Sequence, residues 1–187
     1  MTKTETRRYH QDLRKQLTPQ QVHNSQQGLR KHFALFDLSK VTIVHIFLSI
    51  QKLKEPATND LVEVLFGMGK RVVVSKTNFA SRQMTHWEIT PNTKLETNAY
   101  GIPEPLGGSP IQPHAIDLVF VPLLGYDRKG HRVGYGQGFY DRFLSRCSPQ
   151  AVFVGLSYFP PVSEITDCEP TDIRLHSCIH SNGMEQF

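Results

Sequence analysis

The chain has 187 residues, 39% of them hydrophobic, with 21 Lys and Arg against 17 Asp and Glu, a formal charge of +4 and an isoelectric point near 9.0. No apolar run approaches the roughly 18 to 20 residues of a membrane span, which excludes a helical membrane protein and predicts one soluble domain over residues 1–187. Cys147, Cys168 and Cys178 are odd in number and never in C-x-x-C spacing, which argues against a disulfide framework or a zinc ribbon.

Two helices are predicted to open the chain. The first covers Lys3–Gln16; the second starts at Thr18, where Thr18 caps, Pro19 suits the first helical position and Gln21 completes a capping box. Leu29, Phe33 and Phe36 provide its apolar face. The run VTIVHIFL, Val41 to Leu48, reads as a buried strand, followed by a helical NDLVEVLFGMG ended by Gly69 and a second strand, VVVS, at Val72 to Ser75. Met84 to Ile89 reads as another strand, with Trp87 in the core. Pro91 to Pro113 shows little periodicity and reads as a long loop, a length that usually marks either function or a misassigned element.

IDLVFVP, Ile116 to Pro122, is the clearest buried strand and AVFVGLS, Ala151 to Ser157, the next, joined by a helix over Phe139 to Cys147. His176, Cys178 and His180 sit in a further strand, where a spacing of two shares one face, yet no fourth zinc ligand accompanies them. Short apolar strands alternating with helices predict a single-domain three-layer α/β/α fold with a mostly parallel, Rossmann-like sheet. The charged start, MTKTETRRYHQDLRKQL, lacks the apolar core of a secretory signal, so a cytoplasmic location is the expectation.

Between Val121 and Phe139 lies PLLGYDRKGHRVGYGQG, at the carboxyl end of a strand, where open α/β sheets bind ligands. Gly134, Gly136 and Gly138 alternate with other residues. Each costs backbone entropy, but each also lets backbone N–H groups approach a ligand, and successive N–H groups before a helix cradle phosphate. Arg132 adds a forked donor for phosphate oxygens, and Asp141 offers a carboxylate suited to Mg²⁺. The alternative is a tight loop with an ordinary helix start, Asp141 favouring the macrodipole.

In register over this stretch, Pro122, Gly125, Asp127, Gly130, Arg132, Gly134, Gly136, Gly138, Tyr140 and Asp141 resemble the signature of the 5-formyltetrahydrofolate cyclo-ligase family. The resemblance runs along the chain. Lys3 and Arg7 match an N-terminal K-x-x-x-R that it implies contacts ATP. FLSI (Phe47 to Ile50), Glu55 and Thr58 resemble its folate-binding segment, YGIPEP (Tyr100 to Pro105) an aromatic-x-I-x-E-P stretch, and Asp172 a late Asp implied to hold Mg²⁺. Two extra residues precede Glu55, Phe139 replaces a Tyr, Ser75 stands where many members have Pro, and a Gln often found near Pro161 is missing.

The resemblance implies ATP- and Mg²⁺-dependent closure of 5-formyltetrahydrofolate to 5,10-methenyltetrahydrofolate, with release of ADP and phosphate. It implies catalytic roles for Arg132, Tyr140 and Glu55, and an ATP site of Lys3, Arg7, Arg132, Gly134, Gly136, Gly138, Phe139 and Tyr140. Leu48, Glu55, Tyr100, Tyr135, Gly136, Gln137, Gly138 and Phe139 are implied to line the folate site, and Asp141 and Asp172 to bind the metal. Glu55 also fits a helix N-terminal acid, Tyr100 a packed loop aromatic, and the Lys3–Arg7 pair a solvated face. A small-molecule kinase with another acceptor is the second reading. A nucleic-acid-binding module is the third, but the basic residues are scattered among acids and no binding motif is present. The expected partners are therefore two small molecules, with no nucleic acid and no membrane, and a monomer or homodimer.

Overall fold

A computed structural model describes residues 1–187. Helix α1 (Lys3–Gln16) and helix α2 (Pro19–Phe33) each start with a reciprocal capping box. In the second, Thr18 Oγ1 accepts from the Gln21 N–H at 3.2 Å while Gln21 Oε1 accepts from the Thr18 N–H at 2.8 Å. Strand β1 (Ile43–Ile46), helix α3 (Asn59–Gly67), β2 (Arg71–Asn78) and β3 (Gln83–Ile89) follow. The segment expected as one long loop instead carries three short strands, β4 (Leu95–Thr97), β5 (Pro103–Pro105) and β6 (Ser109–Ile111). Each is only three residues long and contains polar or proline residues, so none shows a hydrophobic period.

Then come β7 (Leu118–Pro122), the two-residue strands β8 (Gly125–Tyr126) and β9 (Arg132–Val133), helix α4 (Phe139–Leu144), β10 (Val152–Ser157), β11 (Ser177–His180) and β12 (Gly183–Gln186). Helix α4 is shorter than the Phe139 to Cys147 expected. The main sheet has the order β12-β11-β10-β7-β1-β2-β3-β6. Its five central strands are parallel, and β12 at one edge and β3 and β6 at the other are antiparallel. The mostly parallel α/β sheet predicted from the sequence is thus present.

Period-two alternation splits the core in two. On one face, Leu29 and Phe33 of α2 and Leu61 and Leu65 of α3 pack on Val44, Ile46, Val72 and Phe120. On the other, Val73, Val119, Val121 and Phe153 meet Phe143 and Leu144 of α4, with Tyr126, Ile116 and Leu175 from the connecting segments. That second layer holds one six-residue helix and much irregular chain.

Trp87 is not in the core. It is half-buried, its Nε1 donates to Thr85 at 3.0 Å and the Lys76 ammonium lies 4.9 Å from its ring centre. Its strand is next to the sheet edge, where little remains to cover a large ring. Of the three candidate zinc ligands, His176 precedes β11 and its Nδ1 accepts from the Phe153 N–H at 2.9 Å. Cys178 is fully buried in the α4-side core, and His180 lies 3.8 Å from Glu185, so the three do not converge.

Candidate active site

A cavity of about 620 Å³ opens beside the ends of β1, β2 and β7, within the usual range for small-molecule sites. Lys3, Arg7, Leu48, Glu55, Tyr100, Arg132, Gly134, Tyr135, Gly136, Gln137, Gly138, Phe139, Tyr140, Asp141 and Asp172 all line it. Residues from the first helix, from three loops and from the segment before β11 therefore meet at one place.

Its polar end is built on the glycine loop. Gly136 and Gly138 have φ of +89° and +65°, in the left-handed region where a Cβ is penalised, whereas Gly134 does not use that freedom. The backbone N–H groups of residues 134–138 donate to no protein acceptor, and Arg7 Nε donates to the Gly134 carbonyl at 3.0 Å. Gly138 is the N-cap of α4 and no side chain caps that helix. Asp141 sits in the first turn of α4, and its Oδ1 also accepts from Arg132 Nη2 at 2.8 Å and from the Ile173 N–H at 3.2 Å.

Arg132 is buried, and burial pulls its pKa down while Asp141 opposes the shift. Its Nε has no partner. Lys3 is not part of a solvated face, since its ammonium pairs with Asp172 Oδ2 at 2.5 Å. Burial would lower the Lys3 pKa, but the hydrogen bond to Asp172 raises it overall. The α1 start is held there by the Lys3 N–H, which donates to Asp167 Oδ1 at 2.5 Å. Glu169 and Thr171, which sequence reasoning missed, line the same wall.

Glu55 lines the same cavity. The segment with the two extra residues forms a 3-10 turn, Gln51–Leu53, and then Lys54 takes a left-handed φ of 47°, turning Glu55 inward. A non-glycine residue rarely adopts that conformation. Here the Lys54 ammonium donates to the Lys15 and Leu17 carbonyls at the end of α1, at 2.9 and 2.7 Å. Glu55 is 7% exposed and lies upstream of the α3 N-cap, Thr58, so it is not that helix's first-turn acid.

The Glu55 carboxylate accepts from the Ile50 N–H and from the Tyr135 hydroxyl, each at 2.7 Å. Burial nevertheless raises its pKa above the ordinary carboxylate range. The loop after Glu55 is locked from behind: Gln26 of α2 donates to the Ala57 carbonyl and accepts from the Ala57 N–H, and Tyr158 donates to Gln26. Tyr140 is half-buried with its hydroxyl unbonded to protein, and desolvation holds its pKa well above the usual phenol value. It is therefore a neutral donor at physiological pH.

The remaining wall is apolar. Tyr100 is 63% exposed and stacks on Phe79, with ring centres 3.9 Å apart, and Phe79 meets Phe139 edge-on at 5.4 Å. Phe79 was not singled out from the sequence; it sits in the β2–β3 turn, and only the alternation of the two flanking strands would have flagged that hairpin. Phe47, Ile50 and Ile102 extend the same surface.

Asp127, in register with the resemblance, lies outside the cavity lining. It is fully buried and accepts from the Lys129, His131 and Ile165 N–H groups and from His131 Nδ1. Burial alone would raise its pKa, but these donors lower it. Its work is to fix the loop between β8 and β9.

The model of the 5-formyltetrahydrofolate cyclo-ligase family matches residues 1–175. The 5-formyltetrahydrofolate cyclo-ligase of Haemophilus influenzae is 30% identical over 168 residues, covering 87% of this chain and 89% of that protein. The Escherichia coli K12 protein of the same name is 33% identical over 135 residues, covering 70% and 73%. Among solved structures, 5,10-methenyltetrahydrofolate synthetase from Aquifex aeolicus superposes with a TM-score of 0.80 at 24% identity, over 100% of this chain and 93% of that one. The likeness to that structure is one of fold, and the family match rests on sequence across nearly the whole length. The chain belongs to the 5-formyltetrahydrofolate cyclo-ligase family.

Proposed function

We propose that this single-domain protein closes 5-formyltetrahydrofolate to 5,10-methenyltetrahydrofolate at the expense of ATP, releasing ADP and phosphate. The observation that carries the reading is the joining, in one cavity, of a glycine loop with free N–H groups to a buried carboxylate beside an aromatic wall. An N-formyl carbon is a poor electrophile and its oxygen a poor leaving group. Phosphorylation of that oxygen by ATP remedies both, after which N10 attacks the carbon, the C–O bond breaks and phosphate leaves. The N10 proton passes to solvent or a nearby base. Positioning and electrostatics supply most of the catalysis in phosphoryl transfer.

The glycine-loop amides, Lys3, Arg7 and Arg132 hold the nucleotide phosphates in this reading, while Phe139 and Tyr140 pack beside them. Glu55 orients the polar edge of the pterin, with Leu48, Tyr100, Tyr135 and Gln137 around the folate. Tyr140 donates to an oxygen in the transferring group. The donors fit Mg²⁺: Asp141 and Asp172 both line the cavity, and each keeps one carboxylate oxygen free of hydrogen bonds. Two carboxylates suit an ion that brings waters and nucleotide phosphates as its other ligands. Asp141 and Asp172 would hold the ion, which would supply positive charge against the transferring phosphoryl group.

Both substrates are small molecules. The protein acts without nucleic acid or a membrane, in the cytoplasm, as a monomer or homodimer. No helix is long and apolar enough to cross a membrane. The test is the growth of methenyl absorbance after ATP, Mg²⁺ and 5-formyltetrahydrofolate are added to pure protein. ATP turnover with another acceptor and no methenyl product would instead establish the kinase reading.

A further inference from the structure

Arg14 lies outside the cavity lining and belongs to no motif picked from the sequence. It is nevertheless 4% exposed, on the inner face of α1. Its Nη2 donates to the Leu123 carbonyl, just past β7, at 2.6 Å, and its Nη1 donates to the Tyr135 hydroxyl oxygen at 3.1 Å. The guanidinium is a planar fork, so the bond to Leu123 fixes where Nη1 points.

A phenol has one hydrogen. Because the Tyr135 oxygen accepts from Arg14, that hydrogen is directed to Glu55 Oε1, 2.7 Å away. The Ile50 N–H occupies Glu55 Oε2 at 2.7 Å. Both carboxylate oxygens are then acceptors, and a proton on either would face a donor. We infer that Arg14 is a positioning residue which, through Tyr135, holds Glu55 as an ionised, oriented acceptor inside the cavity. The importance of Glu55 for folate rests on the function proposed above; the relay itself does not.

The groups facing Glu55 are few: the Ile50 amide, Tyr135 from the glycine loop, Tyr140 from α4, and Arg14 from α1 as the one cation. Burial drives Glu55 toward protonation, and Ile50, Tyr135 and Arg14 oppose it. Without Arg14 the phenol is free to turn its hydrogen elsewhere, and the carboxyl takes a proton at higher pH.

The experiment uses full-length protein with ¹³C-labelled Glu carboxyls, the Glu55 resonance being the one lost in Glu55→Gln. In Arg14→Met and in Tyr135→Phe the Glu55 titration midpoint should rise by about one pH unit, as expected for losing a nearby opposite charge or its relay. The double variant should shift little further, because both changes break one chain of contacts. The acidic limb of kcat/KM for 5-formyltetrahydrofolate should move with the titration, while the ATP KM changes less than about twofold. Arg14→Lys should recover part of the shift. An unmoved Glu55 titration, or additive shifts in the double variant, would overturn the relay. A shifted titration with unchanged folate kinetics would leave the relay standing and remove Glu55 from folate binding. If Arg14→Met does not fold, Tyr135→Phe, which deletes only a hydroxyl, decides the question.

Discussion

The two faces of the sheet are built differently. The α2–α3 face is closed by regular helices whose Leu29, Phe33, Leu61 and Leu65 bury completely or nearly so against β-branched and aromatic strand residues. The α4 face carries His45, Ser75 and His86 under Phe143, and beyond them the cavity with Glu55 and Arg132. His45 Nε2 lies 2.7 Å from Ser75 Oγ and His86 Nδ1 3.1 Å from it, leaving His45 Nδ1 and His86 Nε2 buried without partners. An unpaired buried polar atom costs stability. One face is built for stability, and the other gives some of it up to hold polar groups beside the cavity.

Acid should break this contrast most strongly. Burial lowers the pKa of His86 to about 4 and that of His45 well below the ordinary value. Both are neutral when folded, but the unfolded chain binds protons on them below about pH 6.5, so their contribution is intact above that pH and falls as pH drops toward the folded value. His86 alone predicts a loss of about 2 kcal/mol by pH 5 and about 3 kcal/mol by pH 4. Urea unfolding at pH 7.5 and pH 5 measures it, with His86→Phe expected to show the shallower dependence. Equal stabilities at the two pH values would mean that these histidines are not held neutral.

Leu29→Ala tests the other face. It removes a fully buried side chain from the helix layer and should cost about 3 kcal/mol, with kcat and both KM values unchanged in the folded fraction. A change in kcat would mean that the two faces are coupled.

Asp141→Asn sharpens the comparison, since it strikes function and stability together. Loss of the carboxylate should reduce kcat by about a hundredfold, equivalent to about 2.7 kcal/mol of barrier. The melting temperature should fall as well, because the buried Arg132 guanidinium loses its counter-charge. Near-normal turnover at low Mg²⁺ would reject the metal-binding role.

Much of the site was legible in the residues themselves. The glycine spacing, Arg132, Tyr140 and Asp141 lie in one continuous stretch, and Lys3, Arg7, Glu55, Tyr100 and Asp172 were reached by the resemblance. Phe79, Glu169, Thr171 and Arg14 were not, for they sit in segments without periodicity or on a helix whose buried side is polar. Thr6, His10 and Arg14 line the inner face of α1, a pattern that an apolar period does not detect.

The sequence by itself determined the capping boxes, the apolar strands of the parallel sheet and the order of strand, glycine loop and helix. These follow from contacts between near neighbours and from a binary pattern that burial enforces. Tertiary structure alone decided that the Pro91 to Pro113 segment would supply an edge strand and a hairpin, and that Trp87 would stay half-exposed. It also decided the ionic partners. Asp141, in the first turn of its own helix, also pairs with Arg132, Lys3 reaches Asp172, and Arg14 donates to the Tyr135 hydroxyl across 121 positions of chain. Such choices depend on which groups are desolvated together, and a linear pattern of residues does not carry that information.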